Sequence, residues 1–240
     1  MEDRSLEPSD LAKFYLFAVW MIGDRADALQ RAAEVIRAKP SLDFLGWACA
    51  LLDTVARHKA PDRSEVLSAL DDVLRTDLTT TAGDHPEIQR DPRRLRVLQW
   101  ELKRSCLLEV MRGVASGSRA TFILVRIFGF TPERVAAALD ITRNSLAISL
   151  GRAERTLDNY LAARCQHVAP SNACHCDTRL GVALQREFVT WPENSDEMPD
   201  TPVFAGTYSD VTSLYSSLPP FTPDPAALAA LTAAQQSNAG

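Results

Sequence analysis

The sequence has no hydrophobic run long enough to cross a bilayer: its longest apolar stretch, residues 14–23, is half of the roughly 20 residues that a spanning helix needs. It also lacks the basic start, apolar middle and small-residue cleavage site of a secretory leader, because residues 1–10, MEDRSLEPSD, are acidic and polar. These absences set the expectation of a cytoplasmic protein with no membrane partner. There is no Gly-x-Ser-x-Gly elbow, phosphate-binding glycine loop, paired-carboxylate pattern or His-Glu-x-x-His pair, so no enzymatic activity is expected. With 46% hydrophobic and 24% charged residues in 240, the chain can bury a core, which excludes a wholly disordered, collagen-like or disulfide-dense protein.

Basic residues are scarce everywhere except in one segment. The net charge is -5, but residues 1–89 hold 10 Lys/Arg against 16 Asp/Glu, residues 90–155 hold 13 against 6, and residues 185–240 hold 1 against 7. One segment of +7 thus lies between two acidic ones, which is either a footprint for phosphate contact or a solvated helix surface.

Apolar residues recur at helical spacing through most of the chain, and the predicted fold class is all-α. Residues 11–37 read as a helical hairpin turning at Gly23-Asp24. Pro40 ends it, Ser41 is a candidate cap for a helix over residues 42–58, and a short helix is expected over residues 62–74. Small polar residues and helix breakers at Thr79 through Pro86 predict a linker. After Pro92 come an Arg-rich helix to about Val114 and an apolar helix over residues 119–128. Thr131 and Pro132 then form an N-cap and first-turn pair opening a helix to Leu139, and a turn at Asp140-Ile141-Thr142 leads into a helix from Arg143 to about Ala162. Two helices joined by so tight a turn have the form of a helix-turn-helix or of a plain helical hairpin.

Residues 165–176 hold five thiol or imidazole groups: Cys165, His167, Cys174, His175 and Cys176. A tetrahedral zinc ion needs four such ligands, and Pro170 and Asn172 allow the two arms to fold together; redox-sensitive thiols and unpaired structural cysteines are the other readings. Cys165, His167, Cys174 and Cys176 are the candidate ligands for zinc or another transition metal, with His175 as a spare, whereas Cys49 and Cys106 read as core residues of apolar helices. The tail, residues 185–240, carries 7 of the 14 prolines, yet Phe204, Tyr208, Val211, Tyr215 and Leu218 fall at steps of four, three, four and three. That is one apolar helical stripe, expected to dock on the same chain or on a partner. Docked, the acidic tail is expected to compete with DNA phosphates for the basic segment.

The order of elements and two stretches of sequence resemble the extracytoplasmic-function type of RNA polymerase sigma factor. The stronger stretch runs from Ser118-Arg119-Ala120-Thr121-Phe122 through Thr131-Pro132-Glu133-Arg134-Val135 to Leu150-Gly151-Arg152-Ala153, and is similar to the family's fourth region. Gly23-Asp24-Arg25-Ala26 and Phe44 to Arg57 resemble parts of its second region. The resemblance covers residues 11–165. It implies a region-two-like helical domain over residues 1–78, a linker over 79–92, a region-four-like helix-turn-helix domain over 93–164, a Cys/His-rich segment over 165–184 and the tail over 185–240. It also implies core RNA polymerase and promoter DNA as partners, with Arg143, Asn144, Ser145, Arg152 and Arg155 as DNA-contacting residues. Arg152 and Arg155 otherwise read as surface charges pairing with Glu154 or Asp158. One group of these sigma factors carries a similar metal-sensing Cys-rich segment after the fourth region. The chain departs from the family at Gln30-Arg31-Ala32-Ala33, where a polymerase-binding Asp-Leu-Val-Gln run is usual, and at Leu146-Ala147-Ile148-Ser149, where basic residues are usual. These departures give the alternative: a sigma mimic that sequesters an anti-sigma factor by protein–protein interaction without binding DNA.

Overall fold

Amphipathic periodicity becomes helix throughout the computed structural model, which describes residues 8–57, 68, 70–72, 92–191, 198–219 and 223–237. The predicted linker, Pro92 apart, and residues 62–67, 69, 73 and 74 of the helix expected over residues 62–74 lie outside the described residues; residues 68 and 70–72 are helical as expected. Among these residues the elements are helices, and no strand occurs, only one isolated bridge between Cys165 and Cys174. The all-α expectation therefore holds. No helix of the described residues is long and apolar enough to cross a membrane.

The chain forms two compact units that interleave along the sequence: Met1–Pro61, Ala115–Ala153 and Phe221–Gly240 make the first, and Asp62–Val114 with Glu154–Pro220 make the second. This division does not follow the consecutive segments expected from sequence. A contact between distant segments leaves no local mark in composition, so the linker-based segmentation had no means of registering it.

In the first unit, α1 (Pro8–Ile22) and α2 (Arg25–Ala38) make the predicted hairpin. Gly23 takes φ 95°, a conformation open to a residue without Cβ, and Asp24 caps α2 by accepting from the Asp27 N–H at 2.8 Å. The helix α3 (Phe44–Arg57) is capped by Asp43, whose Oδ1 accepts from the Gly46 N–H at 2.9 Å, and not by the expected Ser41. Asp43→Ala is expected to lower stability by about 1 kcal/mol, whereas Ser41→Ala is expected to leave it unchanged; thermal unfolding of the two variants checks the assignment.

Phe14, Phe17, Phe44, Trp47, Phe128 and Phe130 form an aromatic cluster, with Phe44 stacked on Phe130 at 5.3 Å and edge-on to Phe128 at 5.6 Å. The two last rings flank Gly129 (φ 71°), where the chain leaves α5 (Ser116–Phe122) and its π-helical continuation Ile123–Ile127. They fix the start of α6 (Pro132–Ala138), whose N-cap is Thr131 as expected. Cys49, half-buried on α3, donates its S–H to the Ala138 carbonyl at 3.1 Å and ties α3 to α6. The Ala-rich C-terminal segment is a packed helix, α10 (Pro225–Gln236), lying against α1 and α2 with Ala227, Leu231 and Ala234 buried.

The second unit is built on α4 (Pro92–Arg112), against which α8 (Cys176–Gln185) packs. The tail runs along the same helix. Trp100 Nε1 donates to the Thr201 carbonyl at 3.0 Å, Arg96 pairs with Asp200 at 3.2 Å, Arg104 donates to the Pro219 carbonyl at 3.3 Å, and Arg94 lies over the Trp191 ring. Tyr215 is buried and its hydroxyl donates to the Leu107 carbonyl at 2.9 Å. The apolar stripe thus docks on its own chain, but over a shorter helix than its spacing suggests. The helix α9 spans only Val211–Ser216, because Asp210 caps it through the Ser213 N–H and Gly206 at φ 136° interrupts the segment before it. Val211 and Tyr215 are buried, Tyr208 and Leu218 half-buried, and Phe204 exposed.

Candidate functional site

The helix α7 (Arg143–Leu161) follows α6 after a tight turn. Asp140 adopts φ 52°, which a short polar side chain tolerates, and the Ile141 N–H returns to the Ala136 carbonyl at 3.0 Å. Thr142 caps the new helix, its Oγ1 accepting from the Ser145 N–H at 3.1 Å. Leu146, Ala153, Leu157 and Tyr160 form the buried face of α7. Asn144, Ile148, Arg152 and Arg155, at steps of four, four and three, form an exposed stripe, with Arg143 and Ser145 exposed at its start. All five residues singled out for DNA contact are therefore solvent-facing. Arg143, 74% exposed, pairs with Glu133 of α6 at 3.2 Å. A pair this open to solvent is worth about 0–1 kcal/mol and yields readily to a phosphate. The tail anchors named above engage the basic side chains of α4. Of its four described carboxylates, Asp200 pairs with Arg96, Asp210 and Asp224 cap α9 and α10, and Glu187 lies just past the end of α8.

The second feature lies in the second unit, where α7 ends. The loop after it is folded by Asn172, whose amide donates to the Ala162 carbonyl at 2.8 Å and the Cys165 carbonyl at 3.0 Å. This satisfies carbonyls left open at the helix end. Gln166 N–H to the Cys174 carbonyl and Cys174 N–H to the Arg164 carbonyl, both 3.1 Å, set the two arms side by side. Cys176 then opens α8.

Cys165, His167, Cys174 and Cys176 line a cavity of about 350 Å³ together with Lys103, Cys106, Leu107 and Val110 of α4, Asp71, and Tyr160 and Arg164. Asp71 closes one side, accepting from the Tyr160 hydroxyl at 2.7 Å and pairing with Arg164 at 3.3 Å. Cys165, His167, Cys174 and Cys176 all reach the cavity, as their spacing suggested. His175 does not: it lines a separate recess with Gln166 and Phe204. Cys106 also departs from expectation, lining the cavity where a simple core residue was expected.

His167 carries the strongest sign of a ligand. It is 1% exposed, its Nδ1 is buried without a hydrogen-bond partner among the described residues, and its Nε2 lies 3.5 Å from the Cys176 sulfur. This contact is a hydrogen bond between thiol and imidazole, and its length is also about the separation of a sulfur and a nitrogen held by one tetrahedral ion. Burial, with a smaller effect of Lys103, pushes the imidazole down to about 3, keeping it in the neutral form that binds metal. Burial raises the Cys165 thiol to about 11 and the Cys176 thiol to about 12. A divalent cation supplies the charge that reverses the shift. Among the described residues no group of three or more His, Cys, Asp or Glu side chains is gathered closely enough to hold an ion as it stands. By the chemistry of its donors alone, a set of thiols and an imidazole suits zinc or another sulfur-seeking transition metal.

Lys103 is the group that sequence reasoning missed. It is 1% exposed, donates to the Ser217 hydroxyl at 2.9 Å and sits 4.8 Å over the rings of Trp100 and Tyr208. Burial lowers its pKa, opposed by Tyr208. The signal was present: Trp100, Lys103, Leu107 and Val110 follow at three, four and three, so a lysine interrupts an apolar helical stripe. The tail also reaches the site, since the His167 carbonyl accepts from the Tyr208 N–H at 2.8 Å and the His167 ring lies 5.6 Å from that of Phe204.

The chain matches no protein-family model, no curated protein and no solved structure.

Proposed function

We propose that the protein is a sigma-factor-like transcription regulator, acting through core RNA polymerase and promoter DNA, whose Cys/His segment responds to zinc or another transition metal. The observation that carries this reading is the start of α7, where Arg143, Asn144 and Ser145 are presented to solvent immediately after a tight turn, with Arg152 and Arg155 exposed farther along. A helix entering the major groove reads bases with its N-terminal residues, and arginines along it meet phosphates. The protein performs no catalysis on this reading; its metal is a regulatory ligand held by Cys165, His167, Cys174 and Cys176.

The test is fluorescence anisotropy of the full chain with duplex DNA over a range of salt. Arg143→Ala is expected to weaken binding more than Arg37→Ala, an exposed arginine of the first 89 residues, and to reduce the slope of log K against log salt by about one per lost phosphate contact. Binding that is absent even at low salt rejects DNA reading.

A second reading, the sigma mimic that occupies an anti-sigma factor, is favoured by Ile141 and Ile148, exposed at 36% and 45% on the turn and stripe that would face DNA. Apolar side chains there suit a protein partner. Ile148→Lys separates the two, since it is expected to strengthen DNA binding on the first reading and to abolish capture of an anti-sigma partner on the second. Co-purification of core polymerase with the wild-type chain supports the first.

A further inference from the structure

We propose that the cavity of the second unit binds a small organic carboxylate with an apolar body, its carboxylate held by Lys103 and His167. The inference goes beyond the metal reading and concerns the metal-free chain. At about 350 Å³ the cavity lies within the range of roughly 300–1,000 Å³ found for small-molecule pockets, and all of its walls belong to the second unit. Leu70, Leu107, Val110, Leu161 and Ala173 give it a lining suited to a hydrocarbon body. Its charged lining is unequal in sign: Lys103, Arg164 and Arg179 stand against Asp71 alone, and Asp71 is already engaged by Arg164 at 3.3 Å and by the Tyr160 hydroxyl at 2.7 Å. The lining cysteines leave this balance unchanged, because burial raises their thiols and keeps them uncharged. The complementary occupant is an anion.

Two side chains are built to take it. Lys103 is 1% exposed, and among the described residues its ammonium finds neutral partners: the Ser217 hydroxyl at 2.9 Å, the Tyr208 hydroxyl at 3.5 Å and the rings of Trp100 and Tyr208. A buried ammonium without an anion is costly, and a bound carboxylate offsets that cost. His167, also 1% exposed, supplies the second contact. The Cys176 sulfur accepts from the Gln166 side chain and keeps its proton, so its S–H donates to His167 Nε2 at 3.5 Å. The ring proton of the neutral imidazole then lies on Nδ1, which is buried and has no partner among the described residues. An N–H and an ammonium bordering one cavity make a two-point clamp for a carboxylate. An inorganic anion leaves the apolar lining uncovered, and an uncharged molecule leaves Lys103 uncompensated.

The test is calorimetric titration of reduced full-length protein, in the presence of a chelator, with octanoate, its uncharged analogue octanamide and inorganic phosphate. Octanoate is expected to bind saturably, octanamide at least ten-fold more weakly, and phosphate not at all. Lys103→Met removes the charge from an otherwise apolar helical stripe; it is expected to weaken octanoate ten-fold or more and to leave octanamide unchanged. A second measurement on the wild-type chain avoids any folding defect of the variant. Octanoate is expected to slow alkylation of Cys165 and Cys174, which are half-buried in the cavity lining, and not of Cys49. Absence of octanoate binding, octanamide or phosphate binding as tightly as octanoate, or unchanged octanoate affinity in folded Lys103→Met overturns the proposal. Zinc uptake is measured apart from these titrations: a chain that binds octanoate but takes up no zinc loses the metal reading and keeps this one, and a chain that takes up zinc but never octanoate does the reverse.

Discussion

Tyr215→Ala is expected to destabilise the second unit by about 3–5 kcal/mol, because it removes a fully buried aromatic ring from a site whose walls belong to α4. The change also leaves the Leu107 carbonyl without the hydroxyl that now donates to it at 2.9 Å. Tyr215→Phe keeps the ring and loses only that bond, so its cost is about 1 kcal/mol. For a chain of this size the alanine variant corresponds to a fall in Tm of roughly 6–20 °C, readable by circular dichroism or calorimetry. A fall of less than about 1 kcal/mol shows that the tail is not held on α4 in solution.

The same geometry changes what removal of the tail does. From sequence, truncation after Leu184 is expected to free the basic segment and raise DNA affinity. Since Val211, Leu214 and Tyr215 are buried, truncation exposes an apolar face of the second unit and acts first on stability. Any gain in DNA affinity is therefore to be read only in variants that remain folded, such as Asp200→Ala, which removes the tail carboxylate paired with Arg96 and leaves Tyr215 in place.

Metal loading is expected to raise Tm by roughly 5–10 °C when free zinc is 100 times its dissociation constant, since an ion that binds only the folded chain contributes about 2.7 kcal/mol under that condition. Cys176→Ser is expected to abolish the rise, because Cys176 stands at ligand distance from His167 and opens α8. A chelator should return the wild-type protein to its metal-free Tm and increase proteolytic cleavage near residues 160–185, where the ion would clip the loop. Cys49→Ser should retain the full response. If zinc leaves Tm and proteolysis unchanged, Cys165, Cys174 and Cys176 are structural thiols, and the orphaned His167 nitrogen belongs to some other ligand.

Local signals were enough for the elements themselves. Helical spacing places α1, α2 and α7, Thr131 and Pro132 place the start of α6, and the density of thiols and imidazoles in twelve residues marks the loop. Each of these depends on neighbours within about one or two turns of chain, which is the range over which capping, periodicity and turn chemistry act. Ser41 and the full length of the tail helix were misread at the same range, because Asp43 and Asp210 offered carboxylate caps closer to the helices that formed.

What the sequence could not decide was partnership across the chain. Nothing local in Cys106 distinguishes a core thiol from a cavity-lining one; the loop 59 positions or more downstream decides it. Nothing in Lys103 names Ser217, and nothing in the Ala-rich segment of α10 names α2. By itself the sequence determined helices, caps, charge distribution and a set of metal-seeking side chains. The tertiary structure decided which of those side chains share one cavity, that the tail is divided, its residues 185–220 completing the second unit and α10 the first, and that α6 and the start of α7 belong with α1 to α3, because burial pairs surfaces by shape and area and not by their separation along the chain.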